Sequence, residues 1–498
     1  MAIQEFRDLV KTIKYYEEAI GLLYWDMRTG IPKKGAPGRS EVVGMLSTES
    51  FKLSTSEQMG RLLDELEQPD SWNMLDNITR RMITESRKEY ERSVKIPPEM
   101  YQNYVVLTTQ AETIWEQAKE SNDFASFQPY LEKIVQTNLA FIEYWGYQGH
   151  KYNTLLDMYE PGMTVDKLDA LFHVLREKIV PLLRHIQTSQ TKPDTSFLRQ
   201  SFAKDKQKQF SLEILKGMGY DFEAGRLDET VHPFATGLNL GDVRITTRYL
   251  PDDVVSALFG TIHEGGHALY EQNISEDLTG TNLCSGTSMG IHESQSRFWE
   301  NMVGRSRHFW KHSFNQLQQT FDGQFDSVNA ESFYRAINEV KPSLIRIEAD
   351  ELTYNLHIMI RYELEKALFS GEVQVADLPA VWRTKYKEYL GIEPDTVEDG
   401  VLQDVHWSAG LFGYFPSYAL GNMYAAQFLH TLRVELPDFD QLIEDGNWLT
   451  IKSWLTKTIY QYGKLQTPGE IVLRVTGEEL NPNYLVEYLE QKYKDLYK

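Results

Sequence analysis

The stretch His263-Glu264-Gly265-Gly266-His267 constrains the fold of this chain more than any other. Two imidazoles four residues apart share a face only if the segment is helical, and then lie about 6 Å apart along the axis. That spacing suits two corners of a tetrahedral Zn²⁺ site. Glu264 points to another sector, toward a water beside the metal rather than the metal itself. Each glycine costs about 1 kcal/mol relative to alanine inside a helix. A pair of them is therefore read as room for another backbone or a ligand to come close. A helix that merely carries two histidines and a surface glutamate is the competing reading.

Two ligands do not complete a site, since catalytic zinc takes three protein ligands and keeps a further position open. The downstream candidates are Glu271, Glu276, Asp277, His292, Glu293 and Glu300. Glu271 lies one turn beyond His267 and sits along the same helix rather than across the metal. Glu293 opens a second segment, after a glycine- and serine-rich loop at 280–290. A helix returning antiparallel would present it to the histidines, so spacing favours Glu293 without excluding the others. Two imidazoles and a carboxylate suit Zn²⁺, and Co²⁺ fits the same donors.

Around this motif, helical periodicity dominates. Phe6, Leu9, Ile13, Tyr16, Ile20 and Leu23 recur at spacings of three and four across 3–25, as one buried helix face does. The same pattern predicts helices over 58–92, 98–119, 124–146, 165–188, 206–217, 329–339, 344–369, 420–434 and 482–496. Breakers at 30–38, Pro97-Pro98, Pro161-Gly162 and Pro468-Gly469 punctuate them. None is long enough for a flexible interdomain linker, so a single domain over 1–498 is expected. Residues 241–250 break the rule: Val243, Ile245, Thr247 and Tyr249 alternate with Asp242, Arg244, Thr246 and Arg248. That period of two predicts a strand, with Arg244 and Arg248 on one face. Pro251-Asp252-Asp253 then turns the chain and caps the helix that carries His263. The fold class read here is mainly α, with a small β-sheet beside the metal helix.

Composition excludes some functions. The 72 acidic residues outnumber 51 basic ones for a formal charge of −21, the reverse of a nucleic-acid binder. No run of about 20 apolar residues exists to span a membrane, and the N-terminus reads as neither signal peptide nor anchor. Cys284 is the only cysteine, which fits a reducing compartment, and the cytoplasm is the expected location. Cys284 itself reads as an inert small residue rather than a thiolate ligand.

Several separated blocks resemble one family, the M32 metallocarboxypeptidases of bacteria and archaea. Asp242-Val243-Arg244-Ile245-Thr246 is similar to its D-x-R-x-T, and His263 to His267 to its metal motif. His292-Glu293-Ser294-Gln295 is similar to H-E-S-Q, and Ile345-Arg346-Ile347-Glu348-Ala349-Asp350 to I-R-x-x-A-D. Gly400 to Trp407 (GVLQDVHW) is similar to G-x-x-Q-D-x-H-W. The likeness covers essentially the whole chain. It implies a helical fold with a long deep groove, akin to neurolysin and angiotensin-converting enzyme. It also implies His263, His267 and Glu293 as ligands, Glu264 as base, peptide substrates and a homodimer. In one place the chain departs from thermolysin-like enzymes, which carry an acidic residue four positions after the glutamate ligand. Here that position is Arg297.

Removing a C-terminal residue needs an activated water, donors for the oxyanion, a cation for the chain-end carboxylate and an aligned backbone. Tyr414, Tyr418 and His406 are the donor candidates, and the resemblance favours Tyr414; each tyrosine is otherwise a packed aromatic. Arginine grips carboxylates in a bidentate fork, which nominates Arg244 and Arg346, with Arg248 in reserve. Each of these has a structural alternative, such as an ion pair of Arg346 with Asp350 at i, i+4. The strand 242–249 is expected to add the substrate as an edge strand, and His232-Pro233-Phe234 either lines the groove or makes a turn. A zinc carboxypeptidase of broad specificity is the leading function. An oligoendopeptidase on the same scaffold and a non-catalytic metal-stabilised helical binding protein are the alternatives.

Overall fold

The computed structural model describes residues 2–498 and holds twenty-one α-helices and three short strands among them. The first helix, Ala2–Thr29, buries Phe6, Leu9, Val10 and Trp25 and ends just before the Gly30-Ile31-Pro32 breaker. Most helices lie within a few residues of their expected places: Pro98–Glu120, Phe124–Trp145, Val165–Thr188 and Asn483–Leu496. Two expectations fail at their boundaries. The stretch 58–92 is three helices, Glu57–Leu66, Pro69–Asn73 and Asn77–Lys95. Pro69 starts the second helix, and Asp76 caps the third by accepting from the Thr79 amide. The stretch 344–369 begins as a 3₁₀ turn at Arg346–Glu348, and its α-helix starts only at Glu351. Asp350 is the reason, because its side chain accepts from the Thr353 amide as the N-cap.

The sheet has the order β1 (Leu227–Glu229), β3 (Asp242–Thr247), β2 (Ala235–Asn239). β3 pairs parallel with β1 and antiparallel with β2. Both sides of β3 are therefore occupied, so it is the central strand and not an edge open to a substrate. It ends at Thr247, which leaves the exposed Arg248 outside the strand rather than beside Arg244. Val243, Ile245 and Thr247 are buried, and Thr247 reaches Thr261 of the metal helix, hydroxyl to hydroxyl, at 3.0 Å. The strand thus lies directly on the helix that it feeds. Phe234 precedes β2 and packs edge-on to Trp25.

One hydrophobic core runs from Phe6 to Tyr497. Its centre is the helix Pro416–Glu435, buried on nearly every face, as a helix apolar all round must be. The helix Met289–Arg297, which carries Glu293, lies along it. The two come close because Gly421 has no side chain: a Cβ there would stand 2.5 Å from Glu293 Cγ.

Candidate metal centre

The metal helix runs from Val254 to Gln272, capped by Asp253, whose carboxylate accepts from the Ser256 amide. Its paired glycines seat it tightly. A Cβ on Gly266 would lie 2.6 Å from the Gln295 carbonyl oxygen, in the backbone of the second ligand helix. One on Gly265 would lie 2.7 Å from a Leu215 methyl. Gly266 therefore sets how closely the two ligand-bearing helices approach, and Gly265 seats the metal helix on the helix Lys204–Met218.

That approach brings three ligand atoms together. Glu293 Oε2 is 3.6 Å from His263 Nε2 and 3.5 Å from His267 Nε2, and all three atoms lie within 4.8 Å of one another. Two metal bonds of 2.0–2.1 Å at the tetrahedral angle place ligand atoms about 3.4 Å apart, so the residues fit a small divalent cation. The imidazoles keep 19% and 17% of their side-chain surface open, whereas a purely structural zinc site is closed.

Each histidine is backed at its other nitrogen. His263 Nδ1 is 2.9 Å from Glu300 Oε2. His267 Nδ1 is 2.6 Å from His292 Nδ1, whose ring in turn reaches Glu271 Oε1 at 2.8 Å through Nε2. Three of the six candidates for a third ligand, Glu271, His292 and Glu300, thus stand behind the histidines and outside the cluster of His263, His267 and Glu293. Glu276 and Asp277 are exposed in a 3₁₀ turn and take no part.

Charge is tightly managed here. Arg297 Nε donates to Glu293 Oε1 at 2.7 Å, and Arg297 Nη1 donates to Glu300 at 3.3 Å. Burial would raise the Glu293 carboxyl, but the Arg297 and His263 charges outweigh it and hold the group well below its ordinary range. Glu300 is likewise brought down to about 2, against its own burial, chiefly by Arg297. Glu264, 8% exposed, goes the other way: burial pushes it up to about 7. A carboxylate poised there suits a general base.

A second constellation adjoins the first through Arg297, which stacks over the Tyr354 ring at 4.3 Å. The Tyr354 hydroxyl accepts from Arg346 Nη1 at 3.0 Å. Arg346 also donates from Nε and Nη2 to Asp404 Oδ1 and lies over the Tyr418 ring at 5.0 Å. Its ion pair is therefore with Asp404 and not with Asp350. Arg361 grips the other oxygen of Asp404 at 2.6 Å, so two buried guanidiniums face one carboxylate. His406 Nε2 meets the Tyr418 hydroxyl at 3.2 Å, while His406 Nδ1 has no protein partner. Burial pushes His406 down to about 4, which keeps it neutral near pH 7. Tyr414 packs edge-on to Tyr159 and Tyr418. Burial and the Glu293 charge push its hydroxyl up to about 12, so it keeps its proton.

Arg244 is not part of this group. It forks onto Asp242 with two contacts of 2.7 Å and lies over the Trp25 ring. It lines a cavity of about 620 Å³ with Trp25, Asp26, Arg39 and Arg226, and none of the three ligand residues lines that cavity. Cys284 is half-buried, and burial raises its thiol to about 11, consistent with an inert residue.

Glu271, His292 and Glu300, expected as candidates for the third ligand, instead back the histidines, and Arg297 holds Glu293 and Glu300. Glu293, Arg297 and Glu300 at i, i+4 and i+7 share one helical face, a signal that was present. The segment carrying Glu300, Phe298–Gly304, is a π-helix, a form common at functional sites. Glu365 gave no signal. It is fully buried and accepts from the Gly413 amide at 2.8 Å and Trp407 Nε1 at 2.7 Å, and it bonds the Tyr152 hydroxyl. It thereby pins the loop that presents Tyr414.

The comparisons agree with this geometry. Residues 5–493 match the model of the carboxypeptidase Taq (M32) metallopeptidase family. The chain is 54% identical over 494 residues to Carboxypeptidase 1 of Bacillus subtilis, across 99% of this chain and 98% of that one. The crystal structure of an M32 carboxypeptidase from Deinococcus radiodurans R1 superposes with a TM-score of 0.97 at 36% identity, over 100% of this chain and 99% of that one. A structure of PZ peptidase A shares the fold alone, with a TM-score of 0.66 at 13% identity over 99% and 95% of the two chains. By its ligand geometry, its blocks of sequence and its whole-length likeness, this chain belongs to the M32 family of metallocarboxypeptidases.

Proposed function

We propose that this metallocarboxypeptidase uses Zn²⁺ held by His263, His267 and Glu293, and removes residues from free peptide C-termini with broad preference. The carrying observation is the convergence of three ligand atoms beside Glu264, with both imidazoles partly open. Bound there, the cation would lower the pKa of water and polarise the scissile carbonyl. Glu264 takes the proton from the attacking water and returns it to the leaving amine. Tyr414 donates to the developing oxyanion, with Tyr418 and His406 beside it.

Arg346 is the candidate for the substrate's free carboxylate. A guanidinium has five N–H groups; three are used by Asp404 and Tyr354. The Arg346–Arg361–Asp404 group also lacks one negative charge, which a chain-end carboxylate supplies. Arg244 is the second candidate, and Arg248, exposed beyond the strand, is the weakest. A site that reads the chain end rather than a side chain supports broad preference. The continuous core supports a single catalytic domain over 1–498. A homodimer in the cytoplasm completes the proposal; among the described residues no helix is long and apolar enough to cross a membrane.

The test is one short peptide offered with a free and with an amidated C-terminus, with products identified by mass. The free form alone should lose its last residue. Equal cleavage of both, or internal cuts, would replace this reading with an endopeptidase.

A further inference from the structure

We infer that His292 and Glu271 form a positioning relay that fixes which nitrogen of His267 faces the metal. The inference rests on the metal site proposed above. His263 is oriented directly by a carboxylate, Glu300. His267 is oriented by a carboxylate one residue removed, through an intervening imidazole. The contact between His267 Nδ1 and His292 Nδ1, at 2.6 Å, needs one donor and one acceptor, and the ring atoms alone do not decide which is which.

Glu271 decides it. As a carboxylate it only accepts, and Oε1 also takes the Gly286 amide at 2.9 Å. His292 Nε2 must therefore carry the hydrogen toward Glu271 Oε1, 2.8 Å away. In the neutral ring that leaves His292 Nδ1 as the acceptor. His267 must then donate from Nδ1, and its Nε2 presents a lone pair toward Glu293 Oε2 and the cation. The direction of the whole chain is set at its far end. Packing holds the intermediate ring in place: His292 lies 5.2 Å from the Tyr270 ring and 4.7 Å from the His267 ring, centroid to centroid. A Cβ on Gly286 would come within 2.5 Å of His292 Cδ2.

His292 and Glu271 should act in series. Glu271→Gln keeps the shape but offers an amide that can donate, which lets the chain run backwards. His292→Ala cuts the chain in the middle. Outer partners of ligating histidines typically govern 10–100-fold in metal affinity, so each substitution should weaken Zn²⁺ binding tenfold or more. The double variant should lose no more than about threefold beyond the worse single one, because a broken chain is not broken twice. Glu300→Gln, on the other arm, should multiply with Glu271→Gln.

The experiment is Zn²⁺ affinity by chelator competition on the full chain, with the melting temperature of each metal-free protein alongside. The expected result is weakened Zn²⁺ binding at unchanged metal-free stability, with the non-additivity stated. Losses under tenfold for both single variants would overturn the relay. So would a double variant whose loss is the product of the singles, or affinity losses that merely follow lowered metal-free stability. Should His292→Ala not fold, Glu271→Gln alone and with Glu300→Gln carries the same decision. A wild-type chain that binds no Zn²⁺ would overturn the metal reading and the relay together.

Discussion

Gly266→Ala places a methyl group where the two ligand helices touch. The added Cβ would lie 2.6 Å from Gln295 O and 2.7 Å from Ser296 Cα, both backbone atoms that cannot rotate away. Carbon contacts settle near 3.5–4.0 Å, so the helices must part by about 1 Å. Glu293 rides on the displaced helix, three residues before Ser296, and its Oε2 now stands 3.5–3.6 Å from the histidine nitrogens. Constellations of this kind tolerate about 0.5 Å, and a misplacement of about 1 Å costs on the order of 10²-fold in rate. Stability moves less. Alanine gains about 1 kcal/mol of helix propensity, set against about 1–3 kcal/mol of overpacking, for a net loss of about 0–2 kcal/mol. Gly260, on the same helix, has nothing within 4 Å of an added Cβ. Gly260→Ala should therefore stabilise by up to about 1 kcal/mol and leave activity alone. The assay is kcat/KM on a short free peptide, with Zn²⁺ affinity and denaturation curves for both variants. A Gly266→Ala enzyme with wild-type kcat/KM and wild-type Zn²⁺ affinity would refute the claim that this contact sets the ligand spacing.

Arg346→Lys keeps the charge but not the fork. We expect kcat/KM on free peptides to fall at least about tenfold, with metal content unchanged; an undiminished preference for free over amidated ends would transfer the carboxylate role to Arg244. Burial pushes Glu365 up to about 7 from an ordinary 4.5, against its hydrogen bonds. Its folded form prefers the proton, so its contribution is whole below about pH 4.5 and is lost as pH rises through 7. Wild type should lose on the order of 3 kcal/mol relative to Glu365→Gln between pH 5 and 8, measured by denaturation of metal-free protein; parallel curves would contradict this. Chelation should lower the melting temperature and abolish turnover, and returning Zn²⁺ in excess should restore both, since ligand bound only to the folded state stabilises it by mass action.

What was legible in the sequence was local. The i, i+4 histidines, the Asp253 cap and the period-two strand each declare themselves within a few residues; the structure has the first two where expected and the strand shortened to Asp242–Thr247. The division of 58–92 turned on Pro69 and on the cap at Asp76, which periodicity alone overlooks. The centrality of β3 was hidden because β1 is a three-residue strand, too short to show alternation, and pairing is a long-range property. The Arg346–Asp404 pair spans 58 residues and the Glu365–Tyr152 contact 213. No spacing rule reaches that far, so the likeness of blocks to a family pointed to Arg346 while leaving its partner unnamed.

Glu264→Gln most directly tests the claim that three residues hold the metal while a fourth works the water. The substitution preserves shape and removes the base. Zinc content and kcat should be measured on the same preparation. A full equivalent of zinc is expected, with kcat reduced on the order of 10²–10⁴-fold. A variant that still turns over at the wild-type rate would contradict that claim, as would a wild-type chain that hydrolyses peptides without metal.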